Sequence, residues 1–177
     1  MQISFFETII SAIIFAANNG HVDVVKELVS MGADIEDRSN NWKTPLLWAS
    51  LWGHFPVVKY LVSVGANISA SDVYGLTPVM SATMSENVKL VEYLIHNGAN
   101  VTAKNYYNGT AYLIAVSKKN EEMIKLLGPY FPEEQDKRNP YQVLYSLLYE
   151  NFVFYFNIFL SELGSIFGQK YDKNTEL

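Results

Sequence analysis

The stretch TPLLWASLWGHFPVVKYLVSVGANI, residues 44–68, decides the fold. Thr44 followed by Pro45 reads as a helix start. The Thr hydroxyl can accept an orphan backbone N–H, and Pro is tolerated at the first helical position. Leu46 to Trp52 then form a short first helix, and Gly53 breaks it into a tight turn. Val57 to Val64 form a second helix, with Val58, Leu61 and Val62 on one apolar face at helical spacing. Gly65 closes it in the left-handed conformation that only glycine adopts cheaply. Neither helix is long enough to bury its apolar face alone, so the unit needs neighbours.

The neighbours are written into the chain at a fixed period. Gly32, Gly65 and Gly98 lie 33 residues apart, each followed by Ala and then by Asp34, Asn67 or Asn100. Thr44, Thr77 and Thr110 keep the same spacing, as do Gly20-His21 and Gly53-His54. Val24-Val25-Lys26, Val57-Val58-Lys59 and Leu90-Val91-Glu92 fall in register. Each unit is a helix, a turn, a helix and an extended polar loop.

Thr44-Pro45-Leu46-Leu47-Trp48-Ala49-Ser50, Gly53-His54, Val57-Val58-Lys59-Tyr60-Leu61-Val62 and Gly65-Ala66-Asn67-Ile68 resemble an ankyrin repeat almost from end to end. The copy from Gly75-Leu76-Thr77-Pro78 to Gly98-Ala99-Asn100-Val101 is similar. The expected fold class is all-α: an ankyrin-repeat solenoid of about four repeats, with a helical C-terminal extension. The repeat domain is placed at 1–127, with repeats at about 4–38, 39–71, 72–104 and 105–136. There are departures. Leu47, Met80 and Leu113 stand where the family usually has His, so an inter-repeat hydrogen bond is missing. Glu86 and Lys119 replace the mid-repeat Gly, and Trp42 and Asn108 replace the loop Gly.

Residues 128–140 read as a linker, with Pro129, Pro132, Pro140 and a charge cluster at 133–138. The segment 141–167 is aromatic and nearly uncharged, with Leu144, Leu147, Leu148, Phe152, Tyr155, Phe156, Phe159, Leu160 and Leu163 at helical spacing. Three roles compete for it: a cap on the open end of the solenoid, an interface for a partner or a second copy, and a membrane-associated helix. Glu150, Asn151, Asn157 and Glu162 argue against a membrane span. The C-terminal segment as a whole is placed at 141–177, with Asp172 to Leu177 read as a frayed tail.

Composition narrows the function. Thirteen Lys and Arg against eighteen Asp and Glu leave a net charge of −5, which gives no global drive toward nucleic acid. Zero cysteines exclude disulfides, thiolate metal sites and Cys nucleophiles, and fit a reducing, cytoplasmic setting. No phosphate-binding loop, metal-ligand spacing or catalytic constellation is present, so no enzymatic activity, cofactor or small-molecule substrate is expected. His21 and His54, at equivalent turn positions, read as residues that hydrogen-bond backbone.

The resemblance implies a protein partner bound by the loop tips and the exposed face of each first helix. The implied positions are Arg38, Asn40, Asn41, Trp42, Lys43, Leu51 and Trp52 in repeat two. They are Val73, Tyr74, Leu76, Met84 and Ser85 in repeat three, and Tyr106, Tyr107, Gly109, Ser117 and Lys118 in repeat four. Loop tips normally carry small polar residues. Here Trp42, Tyr74, Tyr106 and Tyr107 sit at or beside them, and Trp and Tyr are enriched at binding hot spots. Trp48, in mid-helix, is assigned to the core. Two functional readings share this surface: an interaction module, and a dedicated inhibitor of one target enzyme.

Overall fold

The computed structural model describes residues 12–132, and these form a repeat solenoid of eight α-helices with no strand among the described residues. The first helices are α1 (Ala12–Asn18), α3 (Pro45–Leu51), α5 (Pro78–Met84) and α7 (Ala111–Ser117). The second helices are α2 (Val22–Ser30), α4 (Phe55–Ser63), α6 (Val88–His96) and α8 (Glu121–Leu127). The expected residues 4–11, 133–140 and 141–177 lie outside the described residues.

Local chemistry sets the helix ends. Thr44 and Thr110 cap α3 and α7, their hydroxyls accepting from the amides of Leu47 and Leu113 at 3.3 and 3.2 Å. Asn87 and Asn120 do the same for α6 and α8, accepting from Leu90 and Met123. The Thr77 hydroxyl, at the start of α5, is buried with no hydrogen-bond partner. His54 reaches back to the preceding repeat, its Nε2 3.0 Å from the carbonyl oxygen of Asn18. That reach fixes Gly20, since a Cβ there would lie 2.6 Å from the His54 ring.

Every turn position where the sequence departs from glycine keeps the glycine backbone. Trp42, Glu86, Asn108 and Lys119 have φ between 56° and 61°, beside 71° at Gly53 and 77° at Gly75. The turn is thus imposed by the stacked helices and not by the residue that occupies it.

The first helices pack in series, α1 on α3, α3 on α5 and α5 on α7, and each packs on its own second helix. Ile13, Ala17, Leu46, Ala49, Val79, Ala82 and Ala115 fill the inner seam. Val25, Val58, Leu61, Leu90, Leu94, Met123 and Leu127 fill the space beneath the second helices. Phe55 of α4 meets Tyr93 of α6 edge-on at 5.3 Å. Burying each large aliphatic side chain of this set contributes about 1.5–3 kcal/mol.

The residues after Leu127 start as packed structure. Gly128–Tyr130 form a 3-10 turn, and Phe131 is buried in a stack on Tyr112, ring centroids 5.5 Å apart. No described helix is long and apolar enough to cross a membrane.

Candidate protein-binding surface

Between successive repeats the chain projects a tight finger, and three fingers follow one pattern. The backbone amide of the first residue of each donates across the turn: Ser39 N–H to Lys43 O, Asp72 N–H to Leu76 O, and Asn105 N–H to Gly109 O. Its side chain then ties the loop down. The Asp72 carboxylate accepts from the amides of Tyr74 and Leu76, both at 2.9 Å. The Asn105 carbonyl accepts from Tyr107 and Gly109 at 3.0 and 2.7 Å. Adjacent fingers are joined by backbone rungs, Val73 N–H to Asn41 O at 3.2 Å and Tyr106 N–H to Tyr74 O at 3.0 Å.

This frame displays aromatic side chains in the open. Tyr106 is 73% exposed and Trp42 59%; Tyr107 and Val73 are exposed as well. Trp52, at the end of α3, is exposed too, and its indole Nε1 donates to Asn18 Oδ1 across the repeat boundary at 2.7 Å. Arg38 and Asn40 are exposed, while Asn41, Tyr74, Met84, Ser85 and Ser117 are half-buried. Lys118 is exposed and lies 4.0 Å from the Glu86 carboxylate.

Four positions assigned to this surface are buried instead. Lys43 is only 1% exposed, because its ammonium turns into the base of the finger and pairs with the carboxylate of Asp72 in the next repeat. The rings of Trp48 and Tyr74 lie 5.8 and 6.0 Å from the same ammonium. Leu51 and Leu76 are buried, as apolar side chains placed at a seam and at a finger base will be. Gly109 is buried against Asn105, where a Cβ would come within 2.9 Å of the amide nitrogen. One position assigned to the core moves the other way. Trp48 is half-buried, its Nε1 donating to Ser39 Oγ at 3.4 Å, because its side of α3 faces the finger and not the inner seam.

Two exposed aromatics among the described residues, Phe15 and Tyr130, fall outside the positions inferred from sequence. Phe15 is 59% exposed on α1, one period before Trp48. The period alone would not have found Phe15, since it pairs this residue with Trp48, which was assigned to the core.

The first helices α1, α3, α5 and α7 carry no charged residue at all, whereas the second helices carry Asp23, Lys26, Glu27, Lys59, Lys89, Glu92, Glu121, Glu122 and Lys125. Among the described residues no cluster of three or more His, Cys, Asp or Glu is arranged to hold a metal ion. A hollow of about 350 Å³ at the last repeat is lined by Tyr112, Ile124, Lys125, Gly128 and Pro129. Those residues supply no nucleophile paired with a base.

A family model described as ankyrin repeats (3 copies) matches residues 7–72. Another, described as ankyrin repeats (many copies), matches residues 52–95 and 80–127. No curated protein matches the chain. Ankyrin repeats indicate a protein–protein interaction module. The matches run without a gap from residue 7 to residue 127, across all eight helices, and the chain belongs to the ankyrin-repeat family.

Proposed function

We propose that the protein docks another protein chain on the finger row and first-helix face of repeats two to four. The observation that carries this reading is the set of exposed aromatic side chains: Trp42, Tyr106 and Tyr107 on fingers that are hydrogen-bonded one to the next, and Trp52 at the end of α3. Rigid aromatic side chains give large contact area with few rotors to immobilise. Nucleic acid fits less well. Stacking of bases on aromatic side chains works together with a continuous basic groove. The cations here are the scattered Arg38, Lys104 and Lys118, on a chain of net charge −5.

The test is affinity capture with the full chain from its source cells, in parallel with Trp52→Ala/Tyr106→Ala. The wild-type chain should capture a defined protein that the double variant loses, while helicity and melting temperature stay unchanged. A variant that captures the same protein equally well, or that loses helicity, would falsify the assignment. If the captured protein is an enzyme, stoichiometric loss of its activity marks the chain as an inhibitor, and retained activity marks it as an adaptor.

A further inference from the structure

Trp42 occupies a backbone conformation that does not suit it. Its φ is 61°, at the turn position held by Gly75 and Asn108 in the following fingers. Asn enters this region readily and Gly without penalty, but a bulky residue there is an outlier. Holding such a residue in the left-handed region costs on the order of 1–3 kcal/mol. A ring that stays 59% exposed recovers little of that by burial. Glu86 and Lys119 hold the same left-handed φ, so what sets Trp42 apart is a large ring kept exposed there, beside an exposed cation.

Arg38 completes the feature. Its guanidinium carbon lies 5.7 Å from the centroid of the Trp42 ring, within cation–π range. Arg38 is exposed, and no carboxylate among the described residues forms an ion pair with it. The three acids just before it are turned to backbone amides instead. Asp34 accepts from Glu36 N–H at 2.8 Å, Glu36 from Asn67 N–H at 2.6 Å, and Asp37 from Arg38 N–H at 2.8 Å. Further along the row Asp72 is buried against Lys43. Within residues 38–43, 71–76 and 104–109 the exposed charges are Arg38 and Lys104, both positive, while the acids just before Arg38 keep their charge with oxygens bonded to backbone amides.

We infer that Arg38 and Trp42 form the anchor for an acidic peptide segment that carries a large apolar side chain. A carboxylate of the segment accepts two hydrogen bonds from the guanidinium fork, and the neighbouring apolar side chain lies on the Trp42 ring. Tyr106, Tyr107 and Lys104 extend the same pairing of aromatic surface and positive charge along the row. This inference rests on the finger row being a protein-binding surface, and it adds the chemistry of the occupant.

The test uses the full chain to select from a displayed library of random short peptides, with Trp42→Gly and Arg38→Gln run beside it. Enriched peptides should be net negative with at least one large apolar residue, and should bind more weakly as salt rises. Each variant should weaken them by roughly tenfold or more, the loss typical of a hot-spot residue. Trp42→Gly should melt at the same temperature as the wild type or higher, because glycine adopts this turn without strain. A fall in melting temperature would mean that Trp42 is there for packing, and the inference would be overturned. Neutral or basic peptides that are lost on Trp52→Ala/Tyr106→Ala would overturn it while leaving the protein-binding surface standing. No enrichment at all, or tighter binding of oligo(dT) than of any peptide, would overturn both.

Discussion

The junction between the second and third repeats and the junction between the third and fourth use the same backbone with different chemistry. In both, an amide of the later finger donates to a carbonyl of the earlier one. At the first junction Lys43 and Asp72 are paired beneath the fingers, with almost no exposure. At the second, Leu76 and Asn105 stand in the equivalent places, Leu76 buried and Asn105 bonded to its own loop. The neutral junction shows that charge is not required to seat one finger on the next. A buried ion pair roughly offsets its own desolvation, so what the pair adds is dependence of each partner on the other.

The strongest way to break the comparison is to remove one charge. Asp72→Asn keeps the loop's acceptor but removes the carboxylate charge that faces the buried Lys43 ammonium, and should destabilise the protein by about 3–5 kcal/mol in urea unfolding. Adding Lys43→Leu converts the junction to the chemistry of its neighbour. The double variant should return to within about 1 kcal/mol of the wild type, since buried pairs replaced by apolar groups are often neutral. A double variant as unstable as the single would show that the first junction needs its charges.

A smaller effect separates the helix starts. Thr44→Val removes a working cap and should cost about 1 kcal/mol. Thr77→Val removes a buried hydroxyl that has no partner, and should be neutral or slightly stabilising, since no hydrogen bond is lost. Thermal melts of the two variants side by side decide this. Equal losses would mean that the Thr77 hydroxyl is satisfied in solution.

The smallest effect concerns the turns. Lys119 is exposed with φ of 56°. Lys119→Gly relieves left-handed strain of about 1–2 kcal/mol at an entropic cost of about 0.5–1 kcal/mol, so a gain of about 0.5 kcal/mol is expected. A loss on chemical denaturation would show that the turn tolerates lysine without strain.

These contrasts also mark how far the sequence reaches. The period, the helix pairs and the caps at Thr44 and Thr110 were legible because they are local: each is written within a few residues and repeated. Exposure was legible where large side chains stand on a finger or at a helix end, as at Tyr106, Tyr107 and Trp52. It failed at Lys43, because the burial of an ionisable group depends on a partner 29 residues away in another repeat. Trp48 was misassigned because position within a helix does not say which side of that helix meets the next one. The left-handed backbone at Trp42, Glu86, Asn108 and Lys119 was signalled only by what those residues replace.

The rungs from Val73 to Asn41 and from Tyr106 to Tyr74 carry a last consequence. Loops of this length usually lose motional freedom when something lands on them, and that loss subtracts from affinity. Here neighbouring tips are already stitched together, so most of the ordering happens as the chain folds, before any encounter. Tip amides at residues 73 and 106 should therefore exchange with deuterium slowly even in the free protein, and a visitor meets a preassembled comb instead of three independent teeth.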